Sequence, residues 1–145
     1  MIDQAHTVTI NRPVSEVFNF VAEPSNETKW HFDVQEVVRP KEGRLELGTT
    51  FEWVVKFLGK KRYVGEVTAF EPDRFIELTT LEGVIQPRLT HTFQADGDST
   101  TYTRRVRFET RGLFRVLEPV ITRMPSPNRR WAENLKLVLE GGQPK

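Results

Sequence analysis

Apolar positions recur along this chain with two different periods, and the switches between them divide it into stretches. Residues 5–10, Ala-His-Thr-Val-Thr-Ile, alternate and predict a strand. Pro13 then suits the first turn of a helix. Val14, Val17, Phe18 and Val21 follow at i, i+3, i+4 and i+7, one apolar stripe. Pro24 stops that helix and opens a second short one to Trp30. From about residue 33 to 110 the period is two, with strand runs near 34–39, 49–58, 62–70, 75–81, 88–95 and 100–110. Gly43, Gly48, Gly59, Pro72-Asp73, Gly83 and Asp96-Gly97 punctuate these runs. Seven strands with such short connections predict an antiparallel meander.

After Gly112 the period returns to 3.6. Leu113, Val116, Leu117, Val120, Ile121 and Met124 form one stripe, and Trp131, Leu135, Val138 and Leu139 continue an apolar face to Gly141-Gly142. A single helix over about 28 residues would be about 42 Å long. Pro125 and Pro127 predict a kink or break inside it, with Ser126 able to cap the second part. A long amphipathic helix must bury its stripe, and a strongly bent sheet offers the only large apolar face. The expected class is therefore α+β: one domain over 1–145, a seven-stranded curved antiparallel sheet wrapped around a C-terminal helix, with two short helices after the first strand. A sheet curved around one helix leaves a cavity between them.

The last hairpin can be tested by register. Leu89, His91 and Phe93 share one face of their strand, and Tyr102, Arg104, Val106 and Phe108 share one face of theirs. A two- or four-residue loop centred on Asp96-Gly97-Asp98-Ser99 brings both sets to the same side. His91 then lies opposite Arg104 or Tyr102, a polar cluster inside an apolar surface. At Gly59 the apolar faces, Phe51, Trp53, Val55 and Phe57 against Tyr63, Gly65, Val67 and Ala69, match only across an odd-numbered loop such as Gly59-Lys60-Lys61. Gly65 inside a strand signals a bulge or a close approach. Ile76 and Leu78 face in, and Glu77 and Thr79 out.

Composition narrows the chemistry. The 145 residues contain no cysteine, which excludes disulfides, thiolate metal sites and thiol nucleophiles. His6, His31 and His91 are far apart and lack metal-ligand spacing, so neither a metal nor a cofactor is expected. No serine sits in a nucleophile-elbow context and there is no Gly-rich phosphate loop. Net charge is +1, a poor match for nucleic acid, and no apolar run approaches a membrane span. With no signal-peptide pattern at the start, the expected compartment is the cytoplasm. The charge is uneven, however. Residues 101–131 carry eight Arg and two Glu, a local +6 that leaves −5 elsewhere. That face is either a solvated, salt-bridged surface or a patch for an anionic partner.

Arg12-Pro13-Val14 with Val17-Phe18 and Phe20-Val21, Pro24 and Trp30, Gly48-Thr49-Thr50-Phe51, Val67-Thr68 with Phe70-Glu71-Pro72, Gly112-Leu113 with Glu118-Pro119, and Asn134-Leu135-Lys136 together carry a resemblance. The chain resembles the START-like, or Bet v 1-like (SRPBCC), superfamily, and within it the small bacterial polyketide cyclase/dehydrase-like members. The resemblance spans nearly the whole chain and implies the helix-grip fold, with a pocket for an apolar or aromatic, lipid- or polyketide-like molecule. It does not imply one activity, since members include carriers, binders, aromatase/cyclases and co-chaperone domains.

On that basis the candidate ligand-binding residues are Trp30 from the short helix and Phe51, Trp53, Tyr63 and Val67 from the first long hairpin. Ile76, Leu78, Leu89, His91 and Phe93 follow from the middle strands. Tyr102, Arg104 and Phe108 come from the last strand, and Leu117, Ile121 and Met124 from the helix. Cores and apolar pockets use the same residue types, so each aromatic reads equally as core. His91 reads as a core histidine, an orienting group or, with Tyr102, a candidate acid/base. An inward Arg104 is costly unless paired or facing a wet cavity, which makes it either a structural partner or a ligand anchor. His31 stays outside the candidate set. Three functions stay open: a hydrophobic small-molecule binder, a polyketide cyclase/dehydratase-type enzyme, and a protein-interaction module using the Arg-rich face, in each case as monomer or homodimer. A structure with no enclosed or open cavity above about 300 Å³ would sink the pocket reading.

Overall fold

The computed structural model describes residues 1–31, 34–38, 45–56, 60–81, 86–124, 126 and 128–141. Strand β1 spans Ile2–Ile10, and helices α1 (Val14–Ala22) and α2 (Glu27–Trp30) follow, joined by a 3₁₀ turn at Pro24–Asn26. Strands β2 (Val34–Val38), β3 (Thr50–Lys56), β4 (Lys60–Glu71), β5 (Phe75–Thr80), β6 (Arg88–Asp96) and β7 (Ser99–Phe108) come next, then helices α3 (Leu113–Arg123) and α4 (Asn128–Leu139). One seven-stranded antiparallel sheet has the order β1-β7-β6-β5-β4-β3-β2. The meander is as expected from its turn spacing, and β1 closes on β7 because the two helices carry the chain across one sheet face to the far edge.

The β6–β7 register follows the alternation. His91 pairs with Arg104, Phe93 with Tyr102, and Asp96 with Ser99 across Gly97-Asp98, where Gly97 takes φ 60°. In β3–β4, Phe51 pairs with Gly65 and Trp53 with Tyr63, odd with odd, as the apolar pattern demands. Lys56 pairs with Lys60, so the connection is 57–59 rather than Gly59-Lys60-Lys61. That loop and Phe57 lie outside the described residues, as do Gly43, Gly83, Pro125 and Pro127. The first strand begins at Ile2, earlier than its alternation suggests, because Ile2 to Ile10 all pair with β7.

The core forms where α1, α2 and α4 cover the sheet. Ile10, Val17, Phe18, Val21, Trp30, Phe51 and Val67 are buried in it with Ile76, Leu78, Phe93, Tyr102, Ala132 and Leu135. Phe18 meets Phe70 and Phe93 edge-on at 5.4 and 5.2 Å, a favoured aromatic geometry. Gly65 lies under Trp53: a Cβ placed there would stand 2.7 Å from the indole Cζ3. The missing side chain is thus space taken by the Trp53 ring.

The C-terminal helix is divided into two. Met124, the residue before Pro125, takes φ −71° and ψ 146°, as the proline ring forces its predecessor out of the helical region. The Ser126 hydroxyl accepts from the Asn128 N–H at 3.2 Å and so helps start α4. The break expected near Pro125 thus separates two helices: α4 packs across β1 and β7, while α3 touches the sheet at β1 and exposes Leu113, Val116, Leu117, Val120 and Met124.

Inside the core, His91 and Tyr102 share a 2.6 Å hydrogen bond between Nδ1 and the phenol oxygen. Burial, with Arg104 and His31 nearby, holds the His91 pKa well below its ordinary 6.5. Burial likewise raises the Tyr102 phenol far above its usual range. Both groups stay neutral, and the imidazole tautomer sets which of them donates.

Two outcomes follow. Gly65→Ala should lower unfolding stability by about 1–3 kcal/mol through overpacking. In a Trp53→Leu background that penalty should shrink, and equal penalties in both backgrounds would contradict the close approach. For His91, the unfolded chain binds a proton that the folded one rejects, so stability falls as pH drops below 6.5. His91→Gln should flatten urea-unfolding stability between pH 6.5 and about 5, by up to about 1.4 kcal/mol per pH unit, and an unchanged slope would refute it.

Candidate functional site

A pocket of about 210 Å³ opens between the sheet and helices α2 and α4. Its apolar walls are Trp53 on β3, Leu78 on β5, Leu89 on β6, Val106 on β7 and Trp131 on α4, with Val34 and Pro87 at the margins. Its polar groups are Glu27, His31, Thr80 and Arg104. All these positions descend from the two periodicities: inward-facing strand residues supply one wall, and one turn each of α2 and α4 supply the other.

Arg104 is only 4% exposed. Its guanidinium lies 4.1 Å from the Trp131 ring centroid and donates through Nη1 to Asn128 Oδ1. Asn128 in turn donates to the Gln4 carbonyl at 3.0 Å. One partner of Arg104 is therefore a polar residue on the helix. The indole face beneath the guanidinium adds a cation–π contact.

Glu27 and His31 lie four residues apart on one turn of α2 and are bonded twice. The His31 N–H donates to the Glu27 carbonyl at 2.8 Å, and His31 Nδ1 donates to Glu27 Oε2. Both side chains are buried. Trp30 stacks on the His31 ring at 3.7 Å, and Trp131 meets it edge-on at 5.2 Å. His31 Nε2 is buried with no hydrogen-bond partner among the described residues. Neither residue was in the candidate set. The available signal was the i, i+4 spacing of Glu and His immediately around Trp30.

The structure brings Trp53, Leu78, Leu89 and Arg104 together at the pocket. Trp30, Phe51, Val67, Ile76, His91, Phe93 and Tyr102 stand behind it as buried neighbours, and Tyr63 is half-buried opposite Trp53. Phe108 lies at the far end of β7, opposite Ile2, in a separate surface hollow. Leu117, Ile121 and Met124 are carried away from the pocket by the break before α4, with Leu117 and Met124 exposed. On the outer face, Arg105 forms two hydrogen bonds to the Asp3 carboxylate across β1 and β7, so part of the Arg-rich surface is paired. Among the described residues no cluster could hold a metal ion, and no helix is long and apolar enough to cross a membrane.

The family described as polyketide cyclase / dehydrase and lipid transport matches residues 1–140. Among curated proteins no match was found. Solved structures share the fold at low identity. TTHA0849 from Thermus thermophilus is 16% identical, with a TM-score of 0.76 over 96% of this chain and 97% of that one. The di-domain ARO/CYC BexL of the BE-7585A biosynthetic pathway is 16% identical, with a TM-score of 0.73 over 97% of this chain but 47% of its own. Ara h 8.0201 is 12% identical, with a TM-score of 0.69 over 97% and 98%. With the helix-grip architecture in place and the family match covering almost its whole length, the chain belongs to the polyketide cyclase / dehydrase and lipid transport family.

Proposed function

We propose that the protein binds a small aromatic or apolar molecule carrying an anionic oxygen, held in the pocket between β3, β5–β7, α2 and α4. The observation that carries this reading is a buried arginine on the wall of a mostly apolar, indole-lined pocket that also carries Glu27, His31 and Thr80. Apolar walls supply area, and the guanidinium supplies orientation and selectivity for a carboxylate or phenolate.

Volume sets the size class. Drug-sized sites begin at about 300 Å³, and a cavity of about 150 Å³ holds benzene. At about 210 Å³ among the described residues, the pocket suits one ring or two fused rings. The sheet–helix pocket falls short of the about 300 Å³ set for it, so the lipid- or polyketide-sized ligand gives way to a smaller molecule. The family's printed description and the ARO/CYC relative support a pocket for ring-bearing compounds.

The test is titration with 2-naphthoate and neutral 2-methylnaphthalene, followed by fluorescence of Trp53 and Trp131 and by calorimetry. Leu89→Trp, which fills the pocket, should weaken both ligands at least about tenfold, or about 1.4 kcal/mol. Arg104→Met should weaken naphthoate by a similar factor and leave the neutral ligand within about twofold. Equal affinities in wild type and Leu89→Trp, or no binding of either ligand, would overturn the reading.

A further inference from the structure

We propose that Glu27 and His31 are a proton-transfer dyad of this pocket, with His31 Nε2 as the catalytic base and Glu27 as its positioning residue. The inference rests on the binding reading of the same pocket and goes beyond it, from holding a ligand to acting on one. The substrate class is a small ring-bearing carbon acid whose conjugate base places negative charge on an oxygen.

Three observations converge. First, Glu27 accepts from His31 Nδ1, which fixes the tautomer and the ring orientation and leaves Nε2 as the nitrogen available for chemistry. The backbone bond across the same turn and the Trp30 and Trp131 rings lock the imidazole further. Second, Nε2 is buried and has no hydrogen-bond partner among the described residues, an arrangement that costs stability unless a ligand completes it. A buried carboxylate–imidazole pair is itself weak grounds for stability, because desolvation offsets its attraction. Third, His31 and Arg104 both line one pocket, with Glu27 beside them, so the imidazole and a fixed positive charge border the same space.

The step balances within those groups. Nε2 takes a proton from a carbon next to a carbonyl; the C–H bond breaks, an N–H bond forms, and the electron pair moves through the new C=C bond onto the carbonyl oxygen. The charge there is stabilised by Arg104, and the imidazolium is stabilised by Glu27. Return of the proton to oxygen or to another carbon restores the dyad and needs no further reactant. His91 Nε2 is likewise buried without a hydrogen-bond partner among the described residues, but His91 does not line the pocket.

The test uses 5-nitrobenzisoxazole, whose deprotonation at carbon breaks its N–O bond, forms a nitrile and releases a coloured phenolate. It is small enough for the pocket and requires only a base. Binding is read by quenching of tryptophan fluorescence and turnover by phenolate absorbance. Among the described residues, the titratable and charged groups around His31 are Glu27 on α2, Arg104 on β7 and His91 on β6 with Tyr102 behind it; α4 faces it with Trp131. His31→Gln should bind the probe with similar affinity and lose about 100-fold in kcat. Glu27→Gln should lower kcat and leave KM within about twofold, the split expected of a residue that positions the base rather than the ligand. If His31→Gln does not fold, the kcat-against-KM split of Glu27→Gln decides alone. Probe binding with equal rates in wild type and variants overturns the dyad and leaves the binding reading standing. Failure of the probe and of 2-naphthoate to bind overturns the binding reading and the dyad with it.

Discussion

A single buried cation organises the interface between sheet and helix. Arg104 points inward from β7 because strand alternation leaves it no other face. A charge placed there must be compensated, and α4 compensates it with the Asn128 amide and the Trp131 ring. Asn128 also reaches back to the Gln4 carbonyl on β1, so one helix start is tied to two adjacent strands. Elsewhere α4 contributes Ala132 and Leu135 to the core, a modest apolar surface for the helix that seals the fold. Its position over the sheet is therefore specified by polar contacts as much as by burial, and the gap it leaves beside Trp131 is the pocket.

Much of this was legible in the sequence where side-chain period decides the answer. Alternation in Leu89, His91 and Phe93 against Tyr102, Arg104 and Val106 leaves one workable hairpin register, since a slip by one residue would turn every side chain over. The odd–odd pairing of β3 with β4 followed from the same logic. The site was legible on the strand side, in Trp53, Leu78, Leu89 and Arg104, and poorly legible on the helix side. Asn128 and Asn134 are polar residues that an apolar stripe passes over, yet both are buried. Asn134 is held there by the Trp30 carbonyl at 3.4 Å. Glu27 and His31 sit on a helix of one turn, too short for any periodic signal. The stripe through Leu117, Ile121 and Met124 has helical period, but Pro125 determines that its axis does not continue into α4.

The pocket's size has a similar local origin. Phe51 and Trp53 meet edge-on at 4.4 Å, and Gly65 opposite Phe51 lets the Trp53 indole settle against the sheet. Trp131 occupies the opposite side. Two indoles thus take up volume that a helix-grip fold would otherwise leave open, and they present flat, rigid walls. Flat walls favour planar ligands, since stacking and edge contacts to an indole reward rings over flexible chains.

The two core histidines show how the same residue type is put to different ends. His91 and His31 both lie close to Trp30, and Arg104 bears on His91 electrostatically. His91 has a neutral partner in Tyr102, and burial together with the nearby cation disfavours a second positive charge on it. It is a hydrogen-bonded structural group with no charge to exchange. His31 has a carboxylate partner in Glu27, bonded at Nδ1. A carboxylate stabilises a neighbouring imidazolium and a phenol does not, and the proposed dyad draws on that contrast. The difference between Tyr102 and Glu27 as partners, rather than any difference in depth, separates the histidine that packs the core from the one proposed to carry a proton.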